Sequence, residues 1–199
     1  MTFRILTVCT GNVCRSPAAE LYLSQDLAGL GFVEVSSAGT GALVGEGIPA
    51  PGLQLLTSEG FAGESHRARQ VTPDIVRAAD LVLALSREHR RAIVEQVPAA
   101  TRRTFTIREL ARVANFIGAP AEGDAGAGSA PADGMRAAVL LAAAQRGLVP
   151  QPEDAADLDV VDPYRRSDNT YRESFGQIRP AAATIARYLS SAADSRRNV

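Results

Sequence analysis

The N-terminal part of the chain passes from an apolar run, through a short loop, into a helical pattern. The run 3–8 is mostly apolar, the loop after it contains Gly11, and Ser16-Pro17 opens the helical pattern. These features predict a strand, a tight turn and a helix N-terminus. Such a turn directs backbone N–H groups into one concavity, where the helix dipole adds positive potential. We therefore expect the loop to bind a dianion such as phosphate.

Cys9 and Arg15 lie near the two ends of this loop, in the spacing Cys-x5-Arg. A thiol at a helix N-terminus beside a cation ionises easily, so Cys9 is a candidate thiolate nucleophile. The Arg15 guanidinium can donate to two phosphate oxygens and follow them into the transition state. The alternative is a buried structural cysteine and an exposed arginine, which would leave the Gly-Asn turn and the Ser-Pro helix start without explanation.

Apolar runs alternate with helical patterns along most of the chain. Strands are predicted at 5–8, 33–36, 81–85 and 103–106. Helices are predicted at 17–30, 49–59, 73–78, 87–96, 107–114 and 171–193. This order indicates an α/β fold, a doubly wound four-stranded parallel sheet with helices on both faces. Ligands of such sheets bind outside the carboxyl ends of the strands, where the Cys9 loop falls.

Composition limits the possible partners and cofactors. The chain has 199 residues, 46% of them hydrophobic, and a net charge of −1, so we expect one domain over 1–199 and no nucleic-acid or membrane partner. No long apolar run or leader precedes the first strand, which predicts a cytoplasmic protein. The two cysteines both lie in the loop, so neither a disulfide scaffold nor a metal site is expected.

Four separated segments resemble the low-molecular-weight protein tyrosine phosphatases, and they occur in that family's order. Residues 8–20 resemble the signature loop, and Val160-Val161-Asp162-Pro163-Tyr164 resembles the Asp-Pro loop that carries the general acid. Residues 36–40 and 65–70 are similar to two further family segments. The likeness runs through most of 3–117 and 158–190.

The resemblance implies a phosphocysteine mechanism without metal or cofactor. Cys9 would attack the phosphate, Arg15 would bind it, and Asp162 would serve as general acid and then as general base. The rest of the phosphate-binding loop would comprise Thr10, Gly11, Asn12, Val13, Cys14 and Ser16. Taken alone, Asp162-Pro163 is also a common turn opener.

Supporting roles are implied by the same resemblance. Asn12 would hold the loop in a strained turn, with Ser37 and His66 as hydrogen-bond partners and no proton-transfer role for His66. Ser16 would donate to the Cys9 thiolate, although a plain N-cap before Pro17 is an equal alternative. Cys14 is expected to form a reversible disulfide with Cys9 after oxidation, or else to fill a small buried gap.

The chain departs from the family in its substrate wall. The family usually has an aromatic residue after the Ala-Gly-Thr segment and another after Asp-Pro-Tyr, whereas here Leu43 and Arg165 occupy these regions. Tyr164 could stack one face of a ring and Leu43 could give apolar contact. We expect a phosphorylated protein or a small aryl phosphate as substrate, with acidic surroundings favoured by Arg165 and Arg166.

A second departure is an insertion at about 118–158. Residues 118–134 are rich in Gly, Ala and Pro and predict a flexible segment, whereas 135–147 predict an extra helix. The insertion could cover the site, bind a partner or form a solvated loop, and we expect a tolerated surface feature. Residues 194–199 are expected to fray.

Two other functions fit the loop. An arsenate reductase would use the same thiol attack, but it would need an external thiol because no further cysteines follow. A weakly catalytic phosphoprotein-binding module is a second alternative, which the intact nucleophile, arginine and acid argue against.

Overall fold

The computed structural model describes residues 1–118 and 130–194. Its centre is a four-stranded parallel sheet with strand order β2-β1-β3-β4. The strands are β1 (Phe3–Cys9), β2 (Val33–Gly39), β3 (Leu81–Ala84) and β4 (Thr104–Thr106). Because all four strands run the same way, the Cys9 end of β1 lies at the carboxyl edge of the sheet.

Seven α-helices pack around the sheet in the described residues. They are α1 (Arg15–Leu27), α2 (Ala50–Ser58), α3 (Pro73–Ala78), α4 (Arg87–Gln96), α5 (Ile107–Ile117), α6 (Pro131–Gln145) and α7 (Asp168–Asp194). Side chains of the strands alternate between two apolar clusters, as a pleated sheet requires. One cluster includes Leu83 and residues of α1, α2, α5, α6 and α7, and the other includes Val82 and residues of α3 and α4. The α/β fold with helices on both sheet faces is therefore confirmed.

Helix α7 is the longest helix and packs against α1, α5 and α6. Its apolar stripe includes Ile178, Ile185 and Leu189, all fully buried, as the periodicity predicts. The helix begins at Asp168, three residues before the predicted start, and it extends to Asp194, the last described residue. Fraying is predicted for 194–199, of which 195–199 lie outside the described residues.

Helix α6, in the segment predicted to be an insertion, is part of the core. It begins four residues before the predicted start, with Pro131 in its first turn, where the missing N–H costs nothing. One face of α6 is buried against α5 and α7, through Met135, Ala138, Val139 and Ala142. The expectation of a tolerated surface feature is therefore wrong for this helix, because alanine-rich periodicity predicts a helix but not what covers it.

The position of α6 also separates it from the Cys9 loop. Arg136 on α6 forms an ion pair with Asp80, which precedes β3, and donates to the carbonyl of Thr2, which precedes β1. Both contacts are at the amino edge of the sheet, opposite the Cys9 end. Helix α6 therefore does not cover the loop, and the predicted flexible segment lies, over 119–129, outside the described residues.

Candidate active site

Residues 9–16, which we call the phosphate loop, join the end of β1 to the first turn of α1. Four successive carbonyls of this loop accept hydrogen bonds from outside it. The carbonyls of residues 9, 10 and 11 accept from the N–H groups of Thr40, Gly41 and Leu43, and that of Asn12 lies 2.6 Å from Nε2 of His66. The C=O and N–H groups of one peptide plane point in opposite directions, so the N–H groups of residues 10–13 are turned to the inner side of the loop.

Asn12 is the centre of a buried hydrogen-bond network that holds this shape. Its φ of 56° is in the left-handed region that Asn tolerates better than most residues. Its amide Nδ2 donates to the hydroxyls of Ser16 and Ser37, at 3.0 and 2.8 Å, and Oδ1 accepts from the N–H of Arg69 at 2.8 Å. Together with the His66 contact, this network places Ser37 and His66 behind the loop, as the resemblance implies.

Ser16 lies against the sulfur of Cys9, with 2.9 Å between Oγ and Sγ. Helix α1 begins at Arg15, so Ser16 is its second residue, and its N-cap residue, Cys14, makes no side-chain capping bond. The N-cap alternative for Ser16 is therefore wrong. Its hydroxyl is available to the Cys9 sulfur.

Arg15 connects the phosphate loop with the C-terminal part of the chain. Its side chain is buried, and Nη2 lies 2.8 Å from Oδ2 of Asp162. Nη1 donates to the carbonyl of Val160 at 3.3 Å, whereas Nε is buried with no hydrogen-bond partner in the described residues. Asp162 is half exposed, and its Oδ1 accepts from the N–H of Tyr164. The structure thus brings Asp162, which is far away in the sequence, next to the loop that contains Cys9 and Arg15.

Residues 159–162, which we call the acid segment, are held across the carboxyl edge of the sheet. The N–H of Val160 donates to the carbonyl of Leu85, and that of Val161 donates to Oε1 of Gln177. Asp159 accepts from the backbone N–H of Arg87 at 2.7 Å and pairs with its guanidinium. Burial opposes ionisation of Asp159, but the hydrogen bonds and charge of Arg87 outweigh it and lower the pKa of the carboxyl. This anchoring by Asp159 has no counterpart in the sequence-based predictions.

A cavity of about 160 Å³ opens above the phosphate loop. Thr10, Gly11, Val13 and Cys14 line it together with Cys9, Arg15 and Asp162, and Leu43 and Tyr164 stand at its sides. The two predicted wall residues therefore line the same cavity as Cys9. The Arg165 guanidinium lies 5.2 Å from the centre of the Tyr164 ring, which places a positive charge beside this wall residue.

Cys14 differs from Cys9 in its surroundings. Both cysteines are free thiols, and Cys14 Sγ lies 3.4 Å from the hydroxyl of Tyr171 on α7. Burial is the main reason that the pKa of Cys14 rises to about 12, and the hydrogen bond with Tyr171 only partly offsets it. Cys14 is therefore a neutral thiol at neutral pH.

His89 is a site residue that sequence reasoning missed. It is buried on the first turn of α4, with Nε2 2.8 Å from the Thr10 hydroxyl and Nδ1 2.9 Å from the Ser86 hydroxyl. Burial and, to a lesser degree, the nearby positive charge of Arg15 lower the pKa of His89 to about 4, although Asp162 and Asp159 partly oppose the shift. The only available signal was a histidine three residues after Ser86, in the first turn of a helix that follows a strand at the ligand-binding edge.

The residues that the structure describes contain no cluster of three or more His, Cys, Asp or Glu side chains able to hold a metal ion. Over the same residues, no helix combines the length and apolar character needed to cross a membrane.

Comparison with known proteins identifies the family. The sequence model of the low molecular weight phosphotyrosine protein phosphatases matches residues 4–119, which include the whole phosphate loop. A probable low molecular weight protein-tyrosine-phosphatase, EpsP of Ralstonia solanacearum, is 39% identical over 106 residues, 53% of this chain and 71% of the relative. The protein-arginine-phosphatase of Geobacillus stearothermophilus is 38% identical over 128 residues, 61% of this chain and 84% of the relative.

Solved structures extend the likeness beyond the matched sequence. The arginine phosphatase YwlE from Geobacillus stearothermophilus has a TM-score of 0.67 at 26% identity and covers 94% of this chain and 93% of its own. The low molecular weight protein tyrosine phosphatase from T. tengcongensis has a TM-score of 0.65 at 26% identity, and the match covers 94% of this chain and 99% of that protein. The chain therefore belongs to the low molecular weight phosphotyrosine protein phosphatase family, whose members are cysteine-dependent hydrolases.

Proposed function

We propose that the protein is a phosphomonoester hydrolase that acts through a phosphocysteine on Cys9. The observation that carries this proposal is the position of Arg15. Its guanidinium is buried beside the phosphate loop and is 2.8 Å from the carboxylate of Asp162. A phosphate bound by Arg15 would therefore lie between the nucleophile and the acid.

In the first step, the Cys9 thiolate attacks phosphorus and the bond from phosphorus to the substrate oxygen breaks. The inner N–H groups of the phosphate loop and the guanidinium of Arg15 bind the three non-bridging oxygens. Protonated Asp162 gives its proton to the leaving oxygen, so that an alcohol or phenol departs rather than an anion. The half-exposed position of Asp162 at the cavity rim suits this transfer.

In the second step, water replaces sulfur on phosphorus. The carboxylate of Asp162 takes a proton from the attacking water, and the P–S bond breaks to release inorganic phosphate and the Cys9 thiolate. The Ser16 hydroxyl, 2.9 Å from the sulfur, donates to the departing thiolate. Asn12, Ser37 and His66 act only by keeping the loop in shape.

The cavity mouth supports a preference for aryl phosphates and phosphorylated proteins. Tyr164 gives one flat wall and Leu43, of which 37% is exposed, gives an apolar one. Arg165 and Arg166 favour substrates with acidic residues near the phosphate. We place the reaction in the cytoplasm. We assign it to one phosphatase domain over 1–199, since α6 and α7 share the core beneath the site.

Reversible oxidation is part of the proposal. Peroxide would oxidise the Cys9 thiolate to a sulfenic acid, and Cys14 would then form a disulfide with release of water. Because Cys14 is a neutral thiol at neutral pH, its attack is slower than that of an ionised thiol. Reductant should restore activity after brief peroxide treatment, and failure to restore it would remove the protective role of Cys14.

The alternatives lack an observation of their own. An arsenate reductase would need an external thiol to regenerate Cys9, since the chain has only two cysteines. A binding module would have no use for an acid positioned beside Arg15. Turnover of arsenate that depends on added thiol would favour the arsenate reductase. Tight phosphopeptide binding without turnover would favour the binding module.

Hydrolysis of p-nitrophenyl phosphate tests the function. Cys9→Ser should abolish hydrolysis. Asp162→Asn should slow it, and on phenyl phosphate, whose leaving group depends on the proton, it should lower kcat by about a hundredfold or more. Asp157→Asn is the matched control, because within the described part of the chain its exposed carboxylate makes only a long contact of 3.9 Å with Arg108. Equal activity of Cys9→Ser and the wild-type protein would refute the proposal. A panel of phosphotyrosine, phosphoserine, phosphoarginine and small phosphates, compared by kcat/KM, would then identify the substrate class.

A further inference from the structure

His89 is a buried histidine with both ring nitrogens engaged, although the mechanism above assigns it no step. Nε2 contacts the hydroxyl of Thr10, the residue after the nucleophile, and Nδ1 contacts the hydroxyl of Ser86. Ser86 is the N-cap of α4, and its oxygen also accepts from the backbone N–H of His89. The three side chains form a chain of contacts from the start of α4 to the phosphate loop.

The positions of the protons along this chain follow from the donors that are present. The Ser86 oxygen already accepts the backbone N–H of His89. For the hydroxyl proton of Ser86, the acceptor within reach among the described residues is Nδ1 of His89. If Ser86 donates to Nδ1, neutral His89 carries its proton on Nε2 and donates it to Thr10. The opposite tautomer would leave the Ser86 proton without an acceptor in the described protein.

We propose that His89 is a positioning residue of the phosphatase site, which holds Thr10 through an Nε2–H bond and so fixes the start of the phosphate loop. The inference rests on the proposed function. Thr10 is otherwise held through its carbonyl, which accepts from the N–H of Gly41, while its side chain faces His89. Without His89, the peptide plane that follows the nucleophile has one anchor fewer.

The charged groups around His89 are consistent with a neutral ring. Arg15 of α1 faces it with a positive charge, and Asp159 and Asp162 of the acid segment face it with negative charges. A second cation beside Arg15 would compete for the phosphate and for the acid. A neutral imidazole provides a directional donor there without adding charge.

Two substitutions distinguish the two ring nitrogens. The amide nitrogen of glutamine can take the place of Nε2, whereas that of asparagine is too near the backbone and can replace only Nδ1. In hydrolysis of p-nitrophenyl phosphate, His89→Asn should lower kcat about tenfold with a small change in KM, since a misplaced loop loses transition-state contacts most. His89→Gln should stay within about threefold of the wild-type protein.

Thr10→Val tests whether His89 acts through the Thr10 hydroxyl. It should lower kcat as His89→Asn does, and the double variant should be no slower than either single variant. Additive losses, or equal losses in His89→Asn and His89→Gln, would overturn the inference. An inactive wild-type protein would instead refute the proposed function, so the two failures are distinguishable.

The tautomer can be observed without any loss of fold. Two-bond ¹H–¹⁵N correlation spectra of the wild-type protein report which ring nitrogen carries the proton, and the chain has only two histidines to assign. We expect a neutral ring protonated on Nε2. A proton on Nδ1, or a doubly protonated ring at neutral pH, would overturn the inference even if every variant proved unstable.

Discussion

The carboxylate of Asp162 and the guanidinium of Arg15 form an ion pair, with 2.8 Å between Oδ2 and Nη2. The same guanidinium donates to the carbonyl of Val160, two residues before Asp162. Arg15 is therefore both the expected phosphate ligand and a support of the acid segment. Binding of a substrate phosphate would compete with Asp162 for Arg15, which would release the carboxyl to meet the leaving oxygen.

Asp159 should determine how well Asp162 is positioned as the acid. Its pairing with Arg87 and the hydrogen bond from Arg108 to its carbonyl hold the segment three residues before Asp162. Asp159→Ala should lower kcat/KM about tenfold for phenyl phosphate, but much less for p-nitrophenyl phosphate, because nitrophenolate leaves without much protonation. Asp157→Ala is the control. An equal loss on both substrates would show that Asp159 acts on something other than proton transfer.

Gly39 should tolerate no side chain, because it lies against the back of the phosphate loop. A Cβ at this position would be 2.3 Å from the carbonyl oxygen of Thr10 and 3.0 Å from the backbone nitrogen of Asn12. Neither backbone atom can move without moving the loop. Gly39→Ala should therefore lower kcat/KM by about a hundredfold. Gly29→Ala, where a Cβ meets nothing within 4 Å, should behave as the wild-type protein does, and normal kinetics in Gly39→Ala would contradict the prediction.

Helix α6 should contribute to stability in proportion to the burial of its side chains. Met135 is 0% exposed, whereas Leu140 on the same helix is 47% exposed. Met135→Ala should lower the free energy of unfolding by about 2–5 kcal/mol because it leaves a cavity in the core. Leu140→Ala should change it by less than about 1 kcal/mol. Urea unfolding followed by circular dichroism measures both, and similar values for the two variants would mean that α6 is not packed as described.

The parts of the site that could be predicted from the sequence are those marked by a local pattern or by the order of the family's segments. The Cys9 loop is a local feature, so its strand, turn and helix could be predicted from neighbouring residues alone. Asp162 could be placed near Arg15 only through the family resemblance, because no local pattern tells which distant segment crosses the sheet edge. The predicted start of α1 at Pro17 was two residues late, since the turn closes at Cys14 and leaves Arg15 already helical.

The missed residues depend on tertiary packing. His89 and Asp159 belong to segments that look like an exposed helix start and an acidic loop when each is considered alone. Their roles arise because α4 and the acid segment meet at the carboxyl edge of the sheet, where Arg87 pairs with Asp159 and His89 reaches Thr10. The buried face of α6 was missed for a related reason, because its partners on α5 and α7 come from other parts of the chain.

His89 should also make the stability of the protein depend on pH. Its pKa is 6.5 ordinarily and about 4 in the folded protein, since burial and Arg15 disfavour the charged ring. Between these pH values the unfolded chain binds a proton that the folded protein does not. The free energy of unfolding therefore rises with pH over this window. The contribution of His89 to the free energy of unfolding is fully present above pH 6.5 and is lost as the pH falls towards 4.

The His89→Gln variant isolates this contribution, because glutamine does not titrate and the other groups remain. Urea unfolding of both proteins between pH 4 and pH 7 gives the difference in their free energies of unfolding. From pH 4 to pH 7, the free energy of unfolding of the wild-type protein should rise by about 3 kcal/mol more than that of the variant. This amount corresponds to the lowered pKa of His89. A constant difference would mean that His89 takes up its proton equally well in the folded and unfolded chains. In that case the ring would not be desolvated beside Arg15, and the neutral state expected for His89 would be contradicted.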